Sequence, residues 1–250
     1  MSLRTPLDEG FVAGQVYHGR NGYVSYVAGN APVILTARHG GDVAPGTIPD
    51  RTAGACGGAM TTVTDRNTRE LVEAMRQHFH ARFGTWPHVV VSNLARTKLD
   101  PNRPLLEAAC GSVEAAAAAL DATTAFEDTA STRSVSRASP LGFSALLRGS
   151  RSLGTLYAER ALPAVPGTQD PGPRGAPYFS GGDDTRRHAC GAESPAYGGL
   201  VSGLVCGVQI ESHFSGVRDT PASWTRFGDV TAEVLGIYLA EHWGLRLGPM

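Results

Sequence analysis

His39 is the first residue in this chain whose type and position suit chemistry. It follows the apolar run PVILTA (residues 32–37) directly, within ARHGGDVAPGTIPDR. In open α/β sheets ligands are held just past the carboxyl ends of strands, and an imidazole there serves as a base or a metal ligand. Gly40 and Gly41 beside it are expected to leave room for a metal or substrate to approach. Asp42 makes an HxxD spacing with His39, but an aspartate after a Gly-Gly turn is ordinary surface chemistry. Asp65 stands at the start of a helical pattern, where unpaired amides and the positive dipole end stabilise a carboxylate even without a ligand.

Three further clusters carry charged groups. RTKLDPNR (96–103) follows the apolar run HVVVSNL (88–94), so its polar groups are expected at the same sheet edge as His39. Guanidinium groups from Arg96 and Arg103 can clamp a carboxylate in a two-pronged fork, against the plainer reading of a surface loop with an internal Asp to Arg pair. Ser180 to His188 reads SGGDDTRRH and supplies Arg187 and His188. Glu211 ends the run VQI and leads through Ser212 and His213 to Arg218. An acid at the end of an apolar strand is costly to bury unless it is paired or used, which makes Glu211 a candidate base.

The elements that must position these groups read as strands over Phe11–Tyr17, Tyr23–Ala28, Pro32–Ala37, His88–Leu94 and Leu204–Ile210. The last three are near-continuous apolar runs of the kind covered on both faces. A first helix starts at a Thr64 or Asp65 cap and carries Leu71, Met75 and Phe79 on one stripe before Gly84. A second runs from Pro104 through the alanine-rich stretch to about Ala122, driven by alanine's helix propensity. A third runs from near Ser223 to Gly244. Strand and helix alternation implies an α/β layered domain with a largely parallel sheet, and no boundary divides residues 1–250 into two cores. Residues 128–140 and 163–182 read as long loops.

Composition narrows the function classes. With 42% hydrophobic and 18% charged residues the chain fits neither disorder nor a coiled coil. The 22 Lys+Arg against 23 Asp+Glu leave a net charge of -1 with no basic run, which argues against nucleic acid and membrane surfaces as partners. No apolar stretch reaches spanning length and the first residues lack a signal-like apolar segment, so the cytoplasm is the expected compartment. Cys56, Cys110, Cys190 and Cys206 form no CxxC pair. Free thiols are expected, with one or two disulfides as the alternative.

Taken in order, RHGG (38–41) with IPDR (48–51), TDRNTREL (64–71), RTKLDPNR (96–103), YFSGGDDTRRH (178–188) and VQIES (208–212) followed by Arg218 resemble the N-formylglutamate amidohydrolase family. The resemblance covers about residues 12 to 240. It implies a three-layer α/β sandwich of the phosphorylase/hydrolase-like kind, related to zinc carboxypeptidases. It also implies a zinc ion on His39 and Asp65, with Glu211 as the base. Arg103, Arg187, His188 and Arg96 would face the carboxylates of a small N-acyl amino acid. Members of that family carry a further His in a motif like DLHGH or DAHS. Here the corresponding stretch is DTASTRSVSRASP, and no His occurs between His88 and His188. The third ligand is then another residue such as His188 or His213, a lost segment, or absent. Hydrolysis of poly-γ-glutamate or a glutamyl peptide is the rival within the same chemistry, and a non-catalytic carboxylate-binding relative is the rival outside it.

Overall fold

The computed structural model describes residues 10–58, 60–119, 145, 148–172 and 207–248. Four short strands form one sheet: β1 (Val16–His18), β2 (Val24–Val27), β3 (Ile34–Ala37) and β4 (His88–Ser92), in the order β1-β2-β4-β3. β3 and β4 run parallel, with Ile34 opposite His88 and Ala37 opposite Val91. The other two pairings are antiparallel, so among the described residues the sheet is mixed and the expectation of a largely parallel one is corrected. The reason is the length of the connections. A tight turn at Arg20–Gly22, with Asn21 at φ 54°, joins β1 to β2 and permits only a hairpin. Only the stretch between β3 and β4 is long enough to hold a helix and return in parallel.

Five helices are labelled here: α1 (Ala53–Cys56), α2 (Thr68–Phe83), α3 (Leu105–Ala109), α4 (Leu153–Ala158) and α5 (Pro221–Trp243). The period-four stripe of α2 is realised, with Leu71, Met75 and Phe79 all buried. Gly84 closes the helix at φ 68°, where a side chain would be strained. Its start differs from the expected cap. Asn67 occupies that position with φ 66° and makes no side-chain cap bond, and Asp65 turns elsewhere. α5 begins as its sequence dictates: the Thr220 hydroxyl accepts from the Ser223 amide and Pro221 occupies the first turn. α2 and α5 pack together. Gly228 is needed at that contact, since a Cβ there would lie 2.8 Å from the Ala74 carbonyl.

The main core fills the face of the sheet under these helices. Val27, Leu35, Ala37 and Val89 meet Leu71 and Met75 of α2, Leu156 and Tyr157 of α4, and Phe227, Val234 and Tyr238 of α5. The opposite face carries a smaller cluster of Val24, Tyr26 and Val90. Val89 and Val90 thus point to opposite sides, as the unbroken apolar run of β4 requires.

Three expectations fail locally. The alanine-rich helix is not continuous, because Cys110 at φ 47° and Gly111 at φ 84° end α3 and helical residues 113–119 restart beyond Ser112, whose hydroxyl accepts from the Ala115 amide. Propensity there yields to a covalent bond, since Cys110 is joined to Cys56 in a disulfide. That bond also corrects the free-thiol reading for this pair; Cys190 and Cys206 lie outside the described residues. The fifth expected strand is absent from 207–210, and 204–206 lie outside the described residues. Among the described residues no helix is long and apolar enough to cross a membrane.

Candidate functional site

The parallel contact of β3 and β4 continues past both strand ends. Gly41 bridges to Ala95 and Val43 to Leu94, and the Val43 amide donates to the Asn93 carbonyl at 2.9 Å. A Cβ on Gly41 would fall on the Asn93 carbonyl, and one on Gly40 would fall on the Thr68 hydroxyl. Gly41 is therefore required by the close approach of the Asn93 backbone, while at Gly40 a side chain would meet the Thr68 hydroxyl. The Asp65 amide donates to the His39 carbonyl at 3.0 Å, which pins the residues before α2 beside the histidine. Across the edge, the Arg51 amide donates to the Thr97 carbonyl at 2.7 Å and Lys98 Nζ to the Ile48 carbonyl at 2.8 Å. Ile48, Leu94 and Leu99 lie buried beneath this lacing.

The result is a compact charge cluster. His39 Nε2 is 2.8 Å from Asp100 Oδ1, and His39 Nδ1 is 3.1 Å from Asp65 Oδ2. Arg96 Nε donates to Asp100 Oδ2 at 3.3 Å and Arg96 Nη1 lies 3.7 Å from Asp65 Oδ2. Arg51 Nη1 is 3.8 Å from Asp100 Oδ2, and the Asn102 amide donates to Asp100 Oδ1 at 3.1 Å. Asp100 is fully buried, whereas the Asp65 side chain keeps 40% of its surface exposed. The cluster is closed beneath and open at Asp65.

Electrostatics follow from these contacts. Burial, the largest single influence on His39, would lower its pKa, but hydrogen bonds to Asp100 and Asp65 outweigh it and hold the group above its ordinary value. With a carboxylate at each ring nitrogen, both N–H groups of the charged form would find acceptors, which is what favours that form. Asp65 is held below the usual carboxylate range, first by its hydrogen bond with His39 and then by the nearby charges of His39, Arg96 and Arg218. Burial pushes Asp100 up, yet His39, Arg96 and the Asn102 amide together take it far below that range. Arg51 is lowered, chiefly by burial.

The donor set fits a zinc ion at one edge only. Nitrogen and oxygen ligands of a tetrahedral zinc sit roughly 3.4 Å apart; the 3.1 Å contact of His39 Nδ1 with Asp65 Oδ2 is a hydrogen bond, so an ion there would replace the shared proton and require the two side chains to turn apart. Asp100 on the other ring nitrogen is the outer partner that orients a metal-bound imidazole. Because Asp100 and Asp65 approach opposite nitrogens, they do not share an ion. Among the described residues no group of three or more His, Cys, Asp or Glu is arranged to hold a metal.

The other candidates are distributed unevenly. Arg96 lies inside the cluster with its guanidinium committed to Asp100 and the Val63 carbonyl, so it is buried framework rather than an open clamp. Arg103 Nη1 donates to the Asn102 carbonyl at 2.7 Å. Glu211 is exposed and accepts from Gln209 Nε2 at 2.7 Å instead of joining the cluster. Its segment nonetheless docks beside Asp65: Arg218 Nη1 donates to the Arg66 carbonyl at 2.6 Å, Arg218 Nε to the Ser212 carbonyl at 2.9 Å, and Asn67 Nδ2 to the Arg218 carbonyl at 2.6 Å. Asp42 is exposed and lies 3.8 Å from Arg69. Arg187 and His188 lie outside the described residues. Sequence reasoning passed over Asp100 and Arg51 as individual residues. The signal was present, because both stand inside the quoted motifs RTKLDPNR and IPDR. Comparison of the chain with protein-family models, with curated proteins and with solved structures gives no match.

Proposed function

We propose that the chain is a metal-dependent hydrolase that cleaves the amide of a small acidic N-acyl amino acid, of which N-formylglutamate is the model. The observation that carries the reading is the His39 imidazole held between the half-exposed Asp65 at 3.1 Å and the buried Asp100 at 2.8 Å. His39 and Asp65 would hold the ion, and Asp100 would fix the ring and raise its basicity as a ligand. When bound, zinc supplies Lewis acidity toward the amide carbonyl. Glu211, on the segment tied down by Arg218, takes the proton of the attacking water and delivers it to the departing amine. The three-layer sandwich implied by the family resemblance belongs to this same reading.

One feature supports a second reading. Arg96 stands 3.7 Å from Asp65 and the imidazole already serves both carboxylates, so the cluster is charge-compensated with no metal. A non-catalytic carboxylate-binding relative would need nothing more. Elemental analysis of the purified full chain and of His39→Ala, with formate release from N-formylglutamate measured in parallel, separates the two. About one zinc per chain, lost together with hydrolysis in the variant, supports the hydrolase. No zinc and no formate from the wild-type chain supports the binding protein.

A further inference from the structure

Outside the His39 cluster, the next residues along the chain hold an unusual arrangement. Phe214 keeps 37% of its surface exposed, and two guanidinium groups lie over its ring: Arg66 at 5.4 Å and Arg218 at 5.7 Å from the centroid. Two cations on one aromatic ring repel each other, and the ring's quadrupole offsets only part of that. Among the described residues neither guanidinium is within ion-pair distance of a carboxylate. Asp219, the neighbouring acid, directs an oxygen to the Gly216 amide at 2.8 Å. Arg218 is also fixed in place, with Nε and Nη1 bonded to the Ser212 and Arg66 carbonyls, which leaves Nη2 as its remaining donor. Arg66 adjoins Asp65 in the chain. Together with Arg51 and Arg96, these make four guanidinium groups near the two carboxylates Asp65 and Asp100, on a chain whose overall charge is -1. So concentrated a positive excess beside an exposed ring draws an anion with an apolar body.

We propose that Arg66 and Arg218, seated on Phe214 beside Asp65, form a subsite for a carboxylate of the ligand, with the Phe214 ring packing against the ligand's methylene groups. The proposal deepens the hydrolase reading and rests on it for the identity of the ligand, an acidic N-acyl amino acid. It assigns recognition to two arginines other than Arg96 and Arg103. The pre-fixed Arg218 supplies direction, and the less constrained Arg66 closes on the carboxylate in a charge-assisted pair.

The test is calorimetric titration of the full chain with N-acetylglutamate and with its uncharged diamide. The wild-type chain is expected to bind the diacid at least tenfold more tightly than the diamide. Arg66→Gln should weaken diacid binding about tenfold and leave the diamide unaffected, with Arg66→Lys recovering part of the loss. Arg218→Gln should act in the same direction. Because its backbone-bonded side chain also holds the 212–218 segment, its thermal unfolding midpoint is read alongside. Equal wild-type affinity for diacid and diamide, or diacid affinity unchanged in Arg66→Gln, overturns the subsite. Arginine-dependent diacid binding by a chain that releases no formate from N-formylglutamate leaves the subsite standing and removes the hydrolase reading instead.

Discussion

Asp65 and Asp100 both bond to one imidazole, yet their surroundings give their removal different consequences. Asp100 is fully buried and compensates His39, Arg96 and Arg51 together. Replacing it with asparagine leaves those cations in a desolvated pocket without their counter-charge, a situation that costs about 3–5 kcal/mol. Asp65 lies at the open side with 40% of its side chain exposed, where loss of an ion pair costs less than about 1 kcal/mol. We expect Asp100→Asn to unfold at a much lower denaturant midpoint than the wild-type chain. Asp65→Asn should stay close to wild-type stability while losing bound zinc. Denaturant unfolding of the two variants with metal analysis of each provides the check. A large loss of stability for Asp65→Asn with little for Asp100→Asn would reverse the assignment of metal ligand and buried support.

α4 and α5 meet through Tyr157, whose ring stacks on Phe227 at 5.6 Å and whose hydroxyl donates to Thr231 Oγ1 at 2.9 Å. Burial, only partly offset by that hydrogen bond, pushes the phenol up to about 12. In the unfolded chain it titrates near 10. The contribution is fully present below about pH 10 and is lost as pH rises toward 12, at about 1.4 kcal/mol per pH unit. Tyr238 on α5 is likewise raised by burial to about 12 and steepens the same loss. Tyr157→Phe should cost about 1 kcal/mol at pH 8 through the lost hydrogen bond. Between pH 10 and 11.5 its stability should fall less steeply than that of the wild-type chain. Urea unfolding at four pH values across this range measures both slopes, and parallel slopes would remove Tyr157 from the alkaline transition.

The same elements show which parts of the fold sequence can disclose. The stripe Leu71, Met75, Phe79 and the stops at Gly84 and Gly244 are local, so helix faces and C-terminal ends were readable where side chains address their own turn, whereas the starts, expected at Thr64 or Asp65 and near Ser223, fall at Asn67 and Thr220. Strand direction was not. It depends on β4 inserting between β2 and β3, antiparallel to the first and parallel to the second, an outcome set by connection length and packing over tens of residues. The break at Cys110 was hidden for a similar reason, since the chain there has strong helix propensity and the constraint comes from Cys56. At the site, His39 and Asp65 could be singled out by strand context and resemblance. Asp100 could not, because its contact with His39 spans 61 residues of sequence and its own surroundings resemble an ordinary Asp to Arg loop.

For the molecule as a whole, the disulfide between Cys56 and Cys110 ties α1 to the end of α3 across 54 residues. The closed loop contains Asp65, Arg96 and Asp100, while His39 and Arg51 lie outside it. Such a link restricts the unfolded chain and contributes about 2–4 kcal/mol, and bonds of this kind persist in oxidising compartments rather than under cytosolic glutathione. The cytoplasmic location expected from the lack of a signal-like apolar segment therefore gains no support from this bond. In the folded state the site has independent support, because Ile48, Leu94 and Leu99 are almost completely buried under the charge cluster and the backbone bonds of Arg51 and Val43 cross between the two loops. The Cys56→Ser, Cys110→Ser double variant should accordingly lose about 2–4 kcal/mol in denaturant unfolding, and reductant should lower the wild-type chain to the same level without further effect on the variant. Below its unfolding transition the variant should bind N-acetylglutamate with wild-type affinity. Weakened binding by a fully folded variant would instead mean that the disulfide, and not the apolar packing below, holds the two loops in register for the ligand.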